Sequence, residues 1–227
     1  MKHTFFIKDW LNSFLSLLFP HCCVVCGRPL AKGEECLCIM CNINLPRTNY
    51  HLWKDNPVER LFWGQIPLER ATSFFFYRKG SDFRQILHQL KYGGKKEVGI
   101  IMGRYMAAEL SDSGFFEGVD VIIPIPLHKK KQQIRGYNQS ECIARGIAAV
   151  TGITVCVESV VRRKNTETQT RKSVFERWEN VDGIFELNHA DSLTGKHILI
   201  VDDVLTTGAT TIACASRLAE VEGTRGQ

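Results

Sequence analysis

The chain lacks an uninterrupted apolar run of membrane-spanning length. Its most apolar terminal stretch, residues 1–19, is broken by Lys8, Asp9, Asn12, Ser13 and Ser16, and no small-x-small cleavage site precedes Cys22. A bilayer core needs about 20 consecutive apolar residues, and a secretion signal ends in such a cleavage site. Neither stable membrane insertion nor export is expected, and a cytoplasmic location is. The chain also lacks a strong charge imbalance: 29 basic against 24 acidic residues permits an anionic ligand or nucleic acid without requiring either. No Gly-Lys-Ser/Thr occurs, so there is no Walker phosphate loop. The acidic pair Asp202 and Asp203 is adjacent, whereas an aspartyl phosphatase wants its acids one residue apart. Apolar content of 44% excludes wholesale disorder, and 227 residues suffice for one α/β core with a small accessory module.

What is present is concentrated in ILIVDDVLTTGATT, Ile198 to Thr211. Four consecutive apolar residues, Ile198 to Val201, predict a strand buried on both faces of a parallel sheet. Asp202 and Asp203 fall at its carboxyl end, where ligands of open α/β sheets sit. Thr206, Thr207, Gly208 and Ala209 then form a small-residue loop opening a helix at about Thr210. The first turn of a helix offers unpaired N–H groups and a positive dipole end, which suits a phosphate. Two carboxylates beside an anion fit only if they accept hydrogen bonds from sugar hydroxyls or lie near a cation. The ligand indicated is a sugar phosphate with magnesium.

Six of nine cysteines lie between Cys22 and Cys41. Cys23 and Cys26, then Cys38 and Cys41, form two CxxC knuckles separated by eleven residues, the pattern of a closed tetrahedral zinc site without an open catalytic position. Cys22 and Cys36 remain alternative ligands. Residues 21–48 are therefore expected to be a zinc-binding ribbon, preceded by an amphipathic helix in residues 1–20 whose apolar face carries Phe6, Trp10 and Phe14. Residues 49–67 are expected to be a linker and residues 68–227 the main domain. Within it, strands are predicted at Leu68 to Tyr77, Val119 to Ile125, Ile153 to Val161 and Gly183 to Leu187, with helices at about Ser81 to Leu90, Val98 to Leu110 and from Asn138 to Val150.

Three basic segments accompany the acidic pair. LKYGGKK, with Lys91, Lys95 and Lys96, is either a solvated turn or a basic loop that reaches phosphate. Ile123, Pro124, Ile125 and Pro126 mark the end of a strand at the same sheet edge as Asp202, ahead of His128, Lys129 to Lys131 and Arg135. A long polar stretch from Arg162 through Arg163 and Lys164 to Trp178 has the composition of a binding loop or lid.

DDVLTTGAT resembles the phosphoribosyl pyrophosphate (PRPP) signature of type I phosphoribosyltransferases. Together with the CxxC pair, LKYGG, P-x-P-L-H, RGYNQ and the RWENV segment, it is similar in order and extent to the ComF family of competence-associated proteins, related to the phosphoribosyl domain of amidophosphoribosyltransferase. The resemblance implies a type I phosphoribosyltransferase-like parallel sheet, with helices on both faces, behind a zinc ribbon. It implies that Asp202 and Asp203 take the ribose, that Val204, Leu205, Thr206, Thr207, Gly208, Ala209 and Thr210 hold the 5′-phosphate, and that Ile123 to Pro126, Arg135, Arg163 and Lys164 serve the pyrophosphate. It further implies Mg2+ with PRPP, a role in DNA uptake, single-stranded DNA as partner, and DNA-uptake machinery nearby. Tyr92, Tyr137 and Trp178 are candidate stacking residues for that strand. Glycosyl transfer from PRPP and PRPP sensing are the alternatives. The chain departs from the family after the last helix: AEVEGTRGQ has no apolar run, so the C-terminal sheet strand is expected to be missing.

Overall fold

A computed structural model describes residues 21–163 and 183–227; the expected amphipathic helix and the polar stretch 164–182, with Lys164 and Trp178, lie outside the described residues. Strands β1 (Val121–Pro124), β2 (Thr154–Val155), β5 (His197–Val201) and β6 (Arg225–Gly226) form a parallel sheet in the order β2-β1-β5-β6. A separate antiparallel pair joins β3 (Val160–Arg162) to β4 (Phe185–Leu187). β1 is buried throughout and β5 nearly so, as their unbroken apolar sequences require. Alternate side chains face opposite ways. Val121, Ile123 and Ile198 pack with Ala213, Cys214 and Leu218 of helix α7 (Ala209–Leu218), whereas Ile122, Leu199 and Val201 pack with Ala107 and Leu110 of α4 (Lys96–Ser111) and Ala144 and Ile147 of α6 (Gln139–Thr151). Helices thus cover both sheet faces, as expected.

α4 and α6 touch through glycine. A Cβ built on Gly146 would lie 2.0 Å from the Ile100 carbonyl oxygen, and one on Gly103 would lie 2.2 Å from the Ile143 carbonyl oxygen. The backbones therefore meet directly, and this contact holds the amino end of α6 at the sheet edge.

The structure differs from the sequence prediction at three strands. The Leu68 to Tyr77 segment is not a strand but makes a single bridge, Arg47 to Phe75, because its backbone runs beside the end of the cysteine-rich region. The predicted Ile153 to Val161 strand is split between β2 and β3, which belong to different sheets. The C-terminal strand expected to be missing is present as the two-residue β6, paired to His197 and Ile198 of β5. Main-chain pairing alone makes it, without the apolar run that would signal it.

The residues around the cysteine knuckles do not form a free-standing module. Cys23, Cys38, Leu37 and Leu45 share one apolar cluster with Ile86 of α3 (Arg84–Tyr92) and with Val98 and Met102 of α4. Arg104–Glu35 and Arg47–Glu109 ion pairs flank that contact. Residues 49–67, predicted as a linker, contain the short helix α2 (Pro57–Arg60), closed by an Asn56/Glu59 capping box. Val58 and Phe62 there are buried against Leu205 and Ile212, so this segment underlies the loop after Asp203.

Candidate functional site

The carboxyl end of β5 delivers Asp202 and Asp203 to the edge of the sheet, and the β1 end lies beside it, with Pro124 in register with Val201. The Ile125 N–H donates to the Val201 carbonyl at 2.9 Å, which carries the pairing past the last strand residue. Asn138 caps α6 by accepting from Ser140 N–H, while its amide donates to the Ile125 carbonyl at 3.0 Å. The two loops predicted to meet are thus joined by the amino end of α6. Ile123, Pro124 and Ile125 are buried and Pro126 is half-buried at this edge.

Asp202 faces inward. Its Oδ1 accepts from the Ser140 hydroxyl at 3.1 Å and from the Asp203 N–H at 2.8 Å. Burial, and next the neighbouring Asp203 charge, push its carboxyl up to about 6 from an ordinary 3.8. Asp203 instead holds the Lys91 ammonium, Nζ to Oδ2 2.9 Å, with both side chains mostly shielded from water. Lys91 lies in the last turn of α3, and the Leu90 carbonyl beside it accepts a 2.6 Å hydrogen bond from the Tyr137 hydroxyl. The LKYGG segment therefore supplies the cation that offsets the acidic pair. Beneath Asp202, the Arg162 guanidinium lies over the Phe185 ring, and burial lowers its pKa while the Asp202 charge opposes the fall.

The raised carboxyl has a measurable consequence. A carboxyl with a folded pKa above its unfolded value contributes stability that is complete below 3.8 and lost as the pH rises through about 6. Asp202→Asn keeps an oxygen to accept from Ser140 and removes the charge. It is expected to stabilise the protein at pH 8 by about 2–3 kcal/mol, with no gain near pH 3. Urea unfolding across that pH range checks this.

Gly208 caps α7 in the left-handed region, φ +74°, and no side chain occupies the cap. The Phe62 ring packs against it, 3.1 Å from where a Cβ would stand. Glycine is thus required here both by the backbone and by a neighbour that the sequence did not reveal. Thr206 and Thr207 are exposed; Val204, Leu205, Ala209 and Thr210 are half-buried.

The remaining predicted residues are placed less uniformly. Arg135 ends α5 (Lys129–Arg135), donates to Gln139 Oε1 at 2.7 Å and lies 5.6 Å from the centre of the Tyr92 ring. Arg163 pairs with exposed Glu186, and Lys164 lies outside the described residues. His128 Nδ1 accepts from Lys130 N–H at 3.3 Å and so caps α5. Tyr137, engaged with Leu90, is half-buried, whereas Tyr92 is exposed.

A second candidate centre lies at the knuckles. The sulfur atoms of Cys23, Cys26, Cys38 and Cys41 all fall within 4.8 Å of one another, a set that fits a tetrahedral metal ion. Gly27, φ +73°, donates its N–H to the Cys23 carbonyl and closes the first knuckle. The Arg28 backbone N–H, with its guanidinium adding to the effect, lowers the Cys26 thiol to about 6, whereas burial and the neighbouring cysteines raise that of Cys41. Cys36 is held at about 12 by burial, and Cys22 forms a bridge with Pro29; both stand outside the four-sulfur set. Among the described residues, no helix is long and apolar enough to cross a membrane.

Residues 137–225 match the phosphoribosyl transferase domain, an extent that takes in α6, β5, the acidic pair and the loop into α7. The "DNA utilization protein YhgH" of Shigella flexneri is 29% identical over 217 residues, 89% of this chain and 92% of the relative. The "Competence protein ComFC" of Bacillus subtilis is 26% identical over 213 residues, 92% of this chain and 76% of that one. Among solved structures, a glutamine PRPP amidotransferase from B. subtilis, complexed with ADP and GMP, aligns at 19% identity and TM-score 0.42 over 62% of this chain and 29% of that protein. Relatives named DNA utilization and competence proteins, matched over about nine-tenths of this chain, together with a phosphoribosyl transferase domain over residues 137–225, make the chain similar to ComF-type competence proteins.

Proposed function

We propose that this chain binds PRPP with magnesium at the β5–α7 edge, binds single-stranded DNA beside it, and acts in DNA uptake from the cytoplasmic side. The observation that carries the reading is the pairing of two carboxylates with an unfilled glycine cap on one strand-loop-helix unit. Asp202 and Asp203 would accept from ribose hydroxyls, the Thr206 to Thr210 backbone and hydroxyls would hold the 5′-phosphate, and Ile123 to Pro126 with Arg163 and Lys164 would bind pyrophosphate. Magnesium, when bound with PRPP, offsets the charge of the pyrophosphate. The four thiols hold zinc in a structural role, since all four positions of the site are protein sulfur.

Binding is favoured over glycosyl transfer by a specific observation. His128, the histidine beside the predicted pyrophosphate loop, is engaged as a helix cap rather than presented to an acceptor. The names of the relatives, DNA utilization and competence proteins, support a DNA-handling role. Calorimetric titration of PRPP with and without a single-stranded oligonucleotide tests the reading. Both ligands are expected to bind, and each is expected to change the other's affinity by the same factor. Absence of binding by either ligand to the zinc-loaded protein would contradict it.

A further inference from the structure

We infer that the cleft between α3 and the Asp203 loop is a pocket for an unpaired nucleobase carrying its phosphate. The cleft encloses about 580 Å³, and Val204, the residue after Asp203, forms part of its wall together with Leu87. Tyr77, His88 and Tyr92 line it with rings, and Arg84 and Lys91 line it with positive charge. Gln85 adds an amide that both donates and accepts, as a base edge requires. No carboxylate is among its lining residues.

One helix face makes most of this surface. Arg84, His88, Lys91 and Tyr92 recur at three- and four-residue spacings, so they stand together, while Ile86 and Leu90 turn into the core. Tyr92 is 71% exposed, far more than packing needs. It is nevertheless held in place: the His88 ring lies 5.4 Å away and tilted 50°, and the Arg135 guanidinium sits 5.6 Å from its ring centre. An exposed ring positioned by two neighbours is a stacking platform for a base.

The chemistry selects the ligand. Pyrophosphate alone would use the cations and leave three rings idle; a purely apolar ligand would make no use of Arg84 and Gln85 in the wall. A nucleotide unit uses both. The unit comes either from a free nucleotide or from a single strand of nucleic acid. The pocket deepens the function proposed above and rests on it for the neighbouring sugar-phosphate site, which it meets at Lys91, the residue already paired to Asp203.

The test uses the full, zinc-loaded chain with three probes: AMP, a short oligothymidylate and its abasic counterpart, with PRPP titrated in parallel. The oligothymidylate is expected to bind at least about tenfold more tightly than the abasic strand, given what one base stacked on an aromatic ring contributes. Tyr92→Ala is expected to abolish that difference, Tyr92→Phe to restore it, and zinc content and PRPP affinity to stay within about twofold of the parent. Binding of AMP as tight as that of the oligothymidylate would assign the pocket to free nucleotides; weak AMP binding would assign it to single strands. Equal binding of the base-bearing and abasic strands, together with no binding of AMP, would overturn the pocket. So would Tyr92→Ala matching the parent with every probe. Loss of PRPP binding in the parent protein, with base binding retained, would instead strike the PRPP reading and leave the pocket standing.

Discussion

Gly146→Ala is expected to destabilise the protein by at least about 3 kcal/mol, the range of severe overpacking in a core. Two effects compete. Alanine is the better helix former by about 1 kcal/mol, so on propensity alone the change would stabilise α6. Against that, the new Cβ would stand 2.0 Å from the Ile100 carbonyl oxygen, 2.9 Å from its carbon and 3.0 Å from the Arg104 nitrogen. All three are backbone atoms, which cannot turn aside as a side chain would, so the clash wins and α4 and α6 must separate. Ser140, in the first turn of α6, would then lose its hold on Asp202. Urea unfolding at pH 7 checks the stability, with Ala148→Gly as a propensity control on the same helix. A stabilised Gly146→Ala would show that the helices do not meet as described.

Stripping zinc is expected to act well beyond the knuckles. In a separate ribbon, metal loss would unfold only the ribbon. Here Cys23 and Cys38 lie in one apolar cluster with Ile86, Val98 and Met102, so the same loss uncovers α3 and α4. α3 carries Lys91 to Asp203. Structural zinc in small peptides is worth about 10–16 kcal/mol at pH 7. Only part of that need reach the main domain to matter: about 4 kcal/mol lowers the melting temperature of a protein this size by about 8–16 °C. Cys41→Ser, or treatment with a chelator, is expected to lower it by at least that much and to weaken PRPP binding in parallel. Scanning calorimetry with metal analysis on the same samples gives both values. An unchanged melting temperature in zinc-free protein would contradict a metal site coupled to the core.

Much of the site was legible because its signals are local. Ile198 to Val201 could only be a doubly buried strand, and the two CxxC spacings bring four sulfurs together however the rest folds. What escaped depends on partners distant in sequence. Phe74 to Tyr77 has strand composition, yet the Phe74 and Phe75 rings pack on the cysteine-rich region, and a single bridge replaces the ladder. LKYGG is equally plausible as a solvated turn until folding sets Lys91 against Asp203. Gly103 and Gly146 read as weak helix residues unless α4 and α6 are known to cross there. β6 has two residues and no apolar pattern, so only its pairing with β5 reveals it.

The acidic pair keeps its importance but gains an internal division of labour. Asp202 is half-buried and raised, held by Ser140, while Asp203 is neutralised by a lysine from another helix. A sugar phosphate arriving at this edge meets carboxylates whose charge is already partly compensated. Calorimetric titration of the zinc-loaded parent and of Asp203→Ala with PRPP and magnesium bears on this most directly. The parent is expected to bind one equivalent, and the variant to bind at least about tenfold more weakly, the loss expected for a charge-assisted hydrogen bond. Equal binding by both proteins, or none by the parent, would contradict a PRPP site at the β5–α7 edge.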